Sequence, residues 1–250
     1  MGQEIYTRQH STSKQVNAIP IDGDLLGFDH TSMILLEQQP RSGSDDIELV
    51  GILPAQPTET SIFTEALIRG LDIAGSVIML VLAAPLMVLA AVIVKVSSLG
   101  PVLYKQRRVG KSGKIFTLYK FRTMVNHAEK VWGFIPATQD DERVTPIGKF
   151  LRRTRLDELP QLLNVLKGEM SLVGPRPENI YRVNMHAPLR GARLLVKPGI
   201  TGLAQIRAFY DLKPEHKLKY DSLYIQNRSF LLNLYILLQT VPVIFLKRGW

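Results

Sequence analysis

Ile73-Ala74-Gly75-Ser76-Val77-Ile78-Met79-Leu80-Val81-Leu82-Ala83-Ala84-Pro85-Leu86-Met87-Val88-Leu89-Ala90-Ala91-Val92-Ile93-Val94 is a run of 22 residues without a formal charge. As a helix rising 1.5 Å per residue it would extend about 33 Å, enough for a bilayer core. Arg69 and Asp72 stand before it and Lys95 after it, and a basic segment follows at once: Lys105, Arg107, Arg108, Lys111, Lys114, Lys120 and Arg122. An apolar anchor joined to a cationic polar domain points to work at a membrane surface on something anionic.

Three readings of the run stand open: a transmembrane helix, a re-entrant segment, or a helix buried in a soluble core. Pro85 sits near its middle, where it removes a backbone donor and favours a kink. Basic residues flank both ends, so charge asymmetry across the segment gives no orientation. The sixty residues ahead of it carry no signal-peptide pattern, yet would have to cross the membrane if the helix spans. A break at Pro85 would return both ends to one leaflet, with the freed carbonyls served by Ser76 or neighbouring backbone.

Outward from the anchor, charge divides the chain. Residues 1–60 hold nine acidic and three basic side chains, a net of −6, and the whole chain is +9, so residues 61–250 carry +15. We read 1–60 as an acidic, largely flexible extension, 61–98 as the membrane anchor, and 99–250 as a catalytic domain on the cytoplasmic face. The chain has no cysteine, which excludes disulfides, thiolate catalysis and cysteine-ligated metals. His127 has no histidine partner nearby, so a zinc site has no support.

The polar part reads as α+β. Val102–Tyr104 and Ile115–Tyr119 are short strands, joined through the Gly110-Lys111-Ser112-Gly113-Lys114 turn as a β-hairpin. Asn126–Trp132 has helical character. Leu156, Leu159, Leu162, Leu163 and Leu166 recur every three or four residues, the pattern of an amphipathic helix with Pro160 in its first turn. Gly174-Pro175-Arg176-Pro177 is a rigid loop, Lys197–Gly202 a glycine-rich turn, and residues 214–228 partly helical. Phe230–Leu246 is apolar but short for a span, and reads as a buried or interfacial helix near the terminal Trp250.

Asp157 and Glu158 form the leading carboxylate pair. Arg152, Arg153 and Arg155 precede them and a helix is expected to begin beside them, so cations and the helix end would favour ionised carboxylates and attract phosphate. A carboxylate can attack phosphorus to give an acyl phosphate, and its neighbour can hold a divalent ion or handle a proton. A capping Asp-Glu pair salt-bridged to those arginines is the structural alternative. Arg176, restricted by a proline on each side, suits a guanidinium held against phosphate, with pairing to Glu178 or Asp157 the competing reading. Asp141 and Arg143 form a further loop-borne cluster. Nucleic-acid binding by the basic groups with Tyr104, Phe116, Tyr119 and Phe121 is less economical, because those rings fit strand-core positions and no recognition-helix spacing is present.

Several long runs together resemble the bacterial monotopic phosphoglycosyl transferases, also called bacterial sugar transferases. They are Gly100–Gly110 (GPVLYKQRRVG), Tyr119–Met124 (YKFRTM), Leu156–Gly168 (LDELPQLLNVLKG), Met170–Glu178 (MSLVGPRPE) and Lys197–Gln205 (KPGITGLAQ), in the expected order over about residues 65–250. The resemblance implies transfer of a hexose-1-phosphate from a UDP-sugar to polyprenyl (undecaprenyl) phosphate, with UMP released, as the first step of exopolysaccharide, capsule or O-antigen synthesis. It implies Asp157 as nucleophile, and Glu158 with Asp157 as ligands of Mg2+. It extends to Arg176 at the nucleotide phosphates, with Lys120 and Arg122 as further phosphate or headgroup candidates. Asp141 and Arg143 are counted as cofactor-binding candidates on the loop reading, with ordinary solvated surface as their alternative. It also implies a bacterial inner-membrane location and a re-entrant helix–break–helix with Pro85 at the break. Here Ala84 stands where a serine often precedes that proline. Membrane lipids are expected partners, nucleic acid is not, and a homodimer is compatible with the resemblance. A membrane-associated scaffold or nucleic-acid-binding protein is the alternative.

Overall fold

The computed structural model describes residues 61–126, 141–207 and 214–245. The acidic extension 1–60, His127, the expected helix beyond Asn126 and Trp250 lie outside the described residues. A long helix, α1 (Ile62–Ser97), opens the described chain. Ser61 caps it by accepting from the Thr64 amide at 3.2 Å, and Glu65 in the first turn and Lys95 in the last complement its dipole. The helix continues through Pro85 without an interruption in its hydrogen-bonded assignment, where a helix–break–helix was expected.

One stripe of α1 packs on the polar domain. Ile68, Asp72, Ser76, Ala90 and Val94 are buried, and Leu80, Met87 and Ala91 are partly covered between them, at helical spacings of three and four. Gly75 belongs to the same stripe: a Cβ there would come 2.8 Å from Leu172 Cδ1. Both ends are pinned by polar contacts. Arg69 donates to the carbonyls of Val165 (2.7 Å) and Leu166 (2.8 Å), and Asp72 accepts from the Leu172 amide (2.8 Å) and the Ser171 hydroxyl (2.9 Å). At the other end Arg122 donates to the carbonyls of Val94 (3.2 Å) and Ser98 (2.8 Å). The rest of the circumference is bare. Val81, Leu82, Val88, Leu89, Val92 and Val96 are each more than half exposed, and transfer of such a side chain out of water yields roughly 1.5–3 kcal/mol.

The expected hairpin is present. Strands β1 (Leu103–Val109) and β2 (Ile115–Phe121) pair antiparallel, with Leu103 opposite Phe121 and Val109 opposite Ile115. Their turn holds Ser112 at φ 56° and Gly113 at φ 74°, so only the second position suits its residue type. The chain then reaches α2 (Pro146–Arg153), where Thr145 accepts from the Gly148 amide and Pro146 fills the first turn. A 3₁₀ segment, Leu156–Gln161, leads into α3 (Leu162–Lys167), which ends on Gly168 in the left-handed region at φ 81°.

Strand β3 (Ser171–Val173) follows and pairs parallel with β4 (Gly199–Thr201). Between them lie the Gly174–Pro177 loop, α4 (Ile180–Met185) and two 3₁₀ turns. The second glycine-rich turn read from the sequence is therefore partly a strand. Its glycines permit the pairing, since a Cβ on Gly199 would lie 2.0 Å from the Gly174 nitrogen. Helices α5 (Leu203–Arg207), α6 (Pro214–Gln226) and α7 (Phe230–Phe245) close the described chain.

Phe116, Leu118, Leu162, Val165, Met170, Leu172, Tyr224 and Ile236 make the main core, which joins β2, α3, β3, α6 and α7. Helix α7 answers to both readings of its sequence. Leu232 and Ile236 enter the core, whereas Leu231, Leu234, Leu238 and Val241 face outward. The whole is α+β, mainly helical with two small sheets.

Candidate active site

Arg155 takes a left-handed backbone at φ 59°, uncommon for a residue with a side chain. That turn ends α2 and sends the chain into the 3₁₀ segment carrying Asp157 and Glu158, whose amide donates back to the Arg155 carbonyl at 3.1 Å. The pair thus sits on a 3₁₀ turn and not in the first turn of one continuous helix, as the leucine spacing suggested. Pro160 explains the difference in part, since its missing amide withdraws one α-helical bond. The local field at the pair is then set mainly by side-chain cations.

Lys120 on β2 donates to Glu158 Oε1 at 2.7 Å, and Arg176 donates to the same oxygen at 2.7 Å. Asn164 on α3 fixes the relation between the two elements. Fully buried, it donates to the Thr117 carbonyl (2.7 Å) and accepts from the Tyr119 amide (3.2 Å), holding β2 beside the segment that carries Glu158. Sequence reading passed over this residue. Its signal was a lone amide inside the apolar run Leu162-Leu163-Asn164-Val165-Leu166.

The two carboxyls are both buried but differ in kind. For Glu158, burial works to raise the pKa, and Arg176, Lys120 and Arg155 outweigh it, holding the group well below the usual carboxylate range. For Asp157, burial prevails. Its pKa is pushed up to about 6, with Glu158 adding to the rise and Lys120, Arg152 and Arg176 opposing it. Among the described residues no hydrogen bond holds the Asp157 carboxylate. One acid is therefore fixed and charged, and its neighbour is ionised above pH about 6 and poorly solvated.

The other candidates fall elsewhere. Arg122 is buried, and the structure places its Nη2 on the Val94 and Ser98 carbonyls and Ser98 Oγ at the end of α1, away from the carboxyl pair. Asp141 and Arg143 pair with each other, with Oδ1 2.8 Å from Nε, on the segment beside Thr123–Val125. Arg152 donates to Thr123 Oγ1 at 2.8 Å, tying α2 to the end of β2. Arg176 meets Glu158 in place of the Glu178 or Asp157 partner read from the sequence. Its side chain is 40% exposed and within reach of an incoming anion.

No cluster of three His, Cys, Asp or Glu side chains exists among the described residues. A self-sufficient protein cage for a metal is therefore not what the site offers. Mg2+ is compatible with the two carboxylates because it favours oxygen and keeps substrate and water ligands. Glu158 Oε1 is engaged by two cations, which leaves Oε2 and the Asp157 oxygens as donors.

This geometry can be set beside known proteins. The bacterial sugar transferase family profile matches residues 63–247. The chain is 42% identical over 187 residues to a UDP-N-acetylgalactosamine-undecaprenyl-phosphate N-acetylgalactosaminephosphotransferase of Aeromonas hydrophila, covering 72% of this chain and 44% of that protein. It is 37% identical over 195 residues to the exopolysaccharide production protein ExoY of Sinorhizobium fredii, covering 72% and 86%. Against a UDP-glucose:undecaprenyl-phosphate glucose-1-phosphate transferase of Escherichia coli, identity is 40% over 206 residues, with 79% of this chain and 44% of the relative covered. The chain thus spans under half the length of two of these relatives and most of the third. The match takes in the long apolar helix, the hairpin, the Asp157–Glu158 turn and the Arg176 loop: the chain belongs to the bacterial sugar transferase family.

Proposed function

We propose that this protein transfers a hexose-1-phosphate from a UDP-sugar to polyprenyl phosphate, undecaprenyl phosphate in bacteria, and so initiates exopolysaccharide, capsule or O-antigen synthesis. The observation that carries the reading is the asymmetry of the carboxyl pair: Glu158 anchored by Lys120 and Arg176, and Asp157 beside it raised to about 6. An ionised carboxylate with a raised pKa is a better nucleophile than an ordinary one, and the adjacent cations suit a diphosphate. The names of the relatives, which specify undecaprenyl phosphate and several different sugars, support the substrate class.

In the first step an Asp157 oxygen attacks the sugar-bearing phosphorus. The bond from that phosphorus to the UMP oxygen breaks, and UMP leaves with the electron pair. In the second, a phosphate oxygen of the lipid attacks the same phosphorus and the Asp157 carboxylate departs. Arg176 orients the nucleotide phosphates, and Lys120 with Arg176 keeps Glu158 ionised beside them. When bound by Glu158 and Asp157, Mg2+ would neutralise charge on the diphosphate.

The anchor fits a monotopic arrangement at the cytoplasmic face of the inner membrane. Both ends of the apolar run hold on to the same polar body, through Arg69 and Asp72 at one end and Val94 at the other. A helix crossing the bilayer away from a one-sided domain would release one of those ends. A helix held at both ends on one body, continuous through Pro85, keeps both contacts by lying along one leaflet with its bare apolar side toward lipid. A dip and return would require it to open at Pro85 and find internal partners for the freed backbone groups.

The test is to incubate the purified protein with Mg2+ and a panel of UDP-sugars without lipid acceptor, reading intact mass and UMP together. A sugar-phosphate mass increase that is absent in Asp157→Asn is expected. Stoichiometric UMP release from the unsubstituted protein with no adduct would refute the covalent step.

A further inference from the structure

The loop that carries Arg176 is held by its backbone to an unusual degree. Four consecutive carbonyls, from Pro175 to Glu178, each accept a hydrogen bond from a different donor. Gly199 N reaches Pro175 O at 2.9 Å, and Arg193 Nη2 reaches Arg176 O at 2.8 Å. Arg108 Nη1 reaches Pro177 O at 3.1 Å, and Val109 N reaches Glu178 O at 3.1 Å. The middle two donors are side chains, from β1 and from the 3₁₀ turn Ala192–Leu195.

Arg193 is the better placed of the two. Besides the Arg176 carbonyl, its guanidinium meets two acids: Nε lies 2.8 Å from Asp221 Oδ2, and Nη1 lies 3.8 Å from Glu178 Oε1. The Nε–H does not aim along the Asp221 contact, so that pair is an ion pair by distance more than a directed hydrogen bond. Asp221 on α6 is almost fully buried. An arginine that pairs with an acid on one helix and donates to a main-chain oxygen on a loop fixes the distance between them.

We propose that Arg193, held by Asp221, is a positioning residue for nucleotide binding: it sets the Arg176 guanidinium by gripping that residue's own carbonyl. The proposal rests on Arg176 contacting the nucleotide phosphates. In this role Arg193 and Asp221 act through Arg176 and supply no reacting atom. The chain of contacts runs from Asp221 on α6 through Arg193 to the Arg176 backbone, and from the Arg176 side chain to Glu158. Helix α6 thereby governs one wall of a site to which it contributes no reacting atom.

A binding cycle tests this in the full-length protein in nanodiscs, with UMP as the probe, on the unsubstituted protein, Arg193→Lys, Arg176→Lys and the double variant. Lysine keeps the charge opposite Asp221 but has no second nitrogen to reach the carbonyl as well. Arg193→Lys should weaken UMP binding about tenfold alone and less than about twofold once Arg176 is already lysine. In turnover, KM for the UDP-sugar should rise about tenfold with kcat within about threefold. Asp221→Asn, which loosens Arg193 without removing it, should show a smaller KM rise in the same sense. Independent losses in the cycle, or a fall in kcat at constant KM, would overturn the role while leaving the functional reading intact. No UMP binding and no UMP release by the unsubstituted protein would refute the functional reading, and this role with it.

Discussion

In Asp157→Asn an amide of nearly the same shape replaces a carboxyl that burial has already made costly to ionise. The rise of the Asp157 pKa from 3.8 to about 6 corresponds to about 3 kcal/mol of stability withheld from the folded protein at neutral pH. The sign follows from the direction of the shift. A carboxyl whose folded pKa lies above its unfolded one favours folding below pH about 4, and that contribution is lost as pH rises through about 6. Asparagine also carries a desolvation cost, so the expected net gain at pH 8 is about 1–3 kcal/mol. For a domain of this size that corresponds to about 3–10 °C in unfolding midpoint. Thermal scans of both proteins at one scan rate, in the same detergent, from pH 5 to pH 8 measure it. The variant should melt higher at pH 8, with the difference shrinking steadily toward pH 5. A difference that ignores pH, or an Asp157→Asn protein that melts lower at pH 8, would refute the assignment of a desolvated nucleophile.

Glu158→Gln should behave oppositely, lowering the midpoint because Lys120 and Arg176 lose their shared carboxylate, and cutting UMP release about 10²–10³-fold. The single-turnover rate of UMP release should climb about tenfold per pH unit below pH about 6 and then level, and a rate flat from pH 5 to 8 would contradict the Asp157 pKa. Gly148→Ala puts a Cβ 1.9 Å from the Thr123 carbonyl oxygen, so a loss of about 2–4 kcal/mol is expected, read as a lower midpoint or absent folded protein. Because the chain has no cysteine, single thiols at Ser61→Cys and Leu99→Cys report topology. Impermeant maleimide should label both in inside-out vesicles and neither from the periplasmic side, whereas labelling from opposite sides would mean that α1 spans.

The hairpin and the long apolar helix were legible because their signals are local. Apolar alternation in Ile115–Tyr119 and the Gly-Lys-Ser-Gly turn specify pairing between neighbours in sequence. The β3–β4 pair was not legible, since parallel strands about 28 residues apart leave no mark in either three-residue segment. Leucine periodicity found a helix in the right place, yet it could not see that Pro160 and a left-handed Arg155 would turn its first part into a 3₁₀ segment. Arg122 and Lys120 looked alike as basic residues two apart on the same segment. Lys120 lies within β2 and reaches Glu158, whereas Arg122 stands one residue past the strand's end, where the chain has turned toward the end of α1.

By itself, the sequence determined that this protein joins a bilayer-length apolar segment to a basic α+β domain, and its resemblance put forward Asp157, Glu158 and Arg176 as the candidates for its chemistry. Both follow from residue type and near-neighbour spacing. Only the tertiary structure decided that Glu158 is the acid held by two cations and Asp157 the one whose pKa burial raises. It also decided that Arg122 closes a helix, and that Arg193 and Asp221, 28 residues apart along the chain, meet behind the Arg176 loop.

 The physical reason is common to all three: desolvation and ion pairing depend on which side chains folding brings together, and Arg193 reaches the Arg176 carbonyl from 17 positions further along the chain while Asp221 meets Arg193 from 28 beyond that.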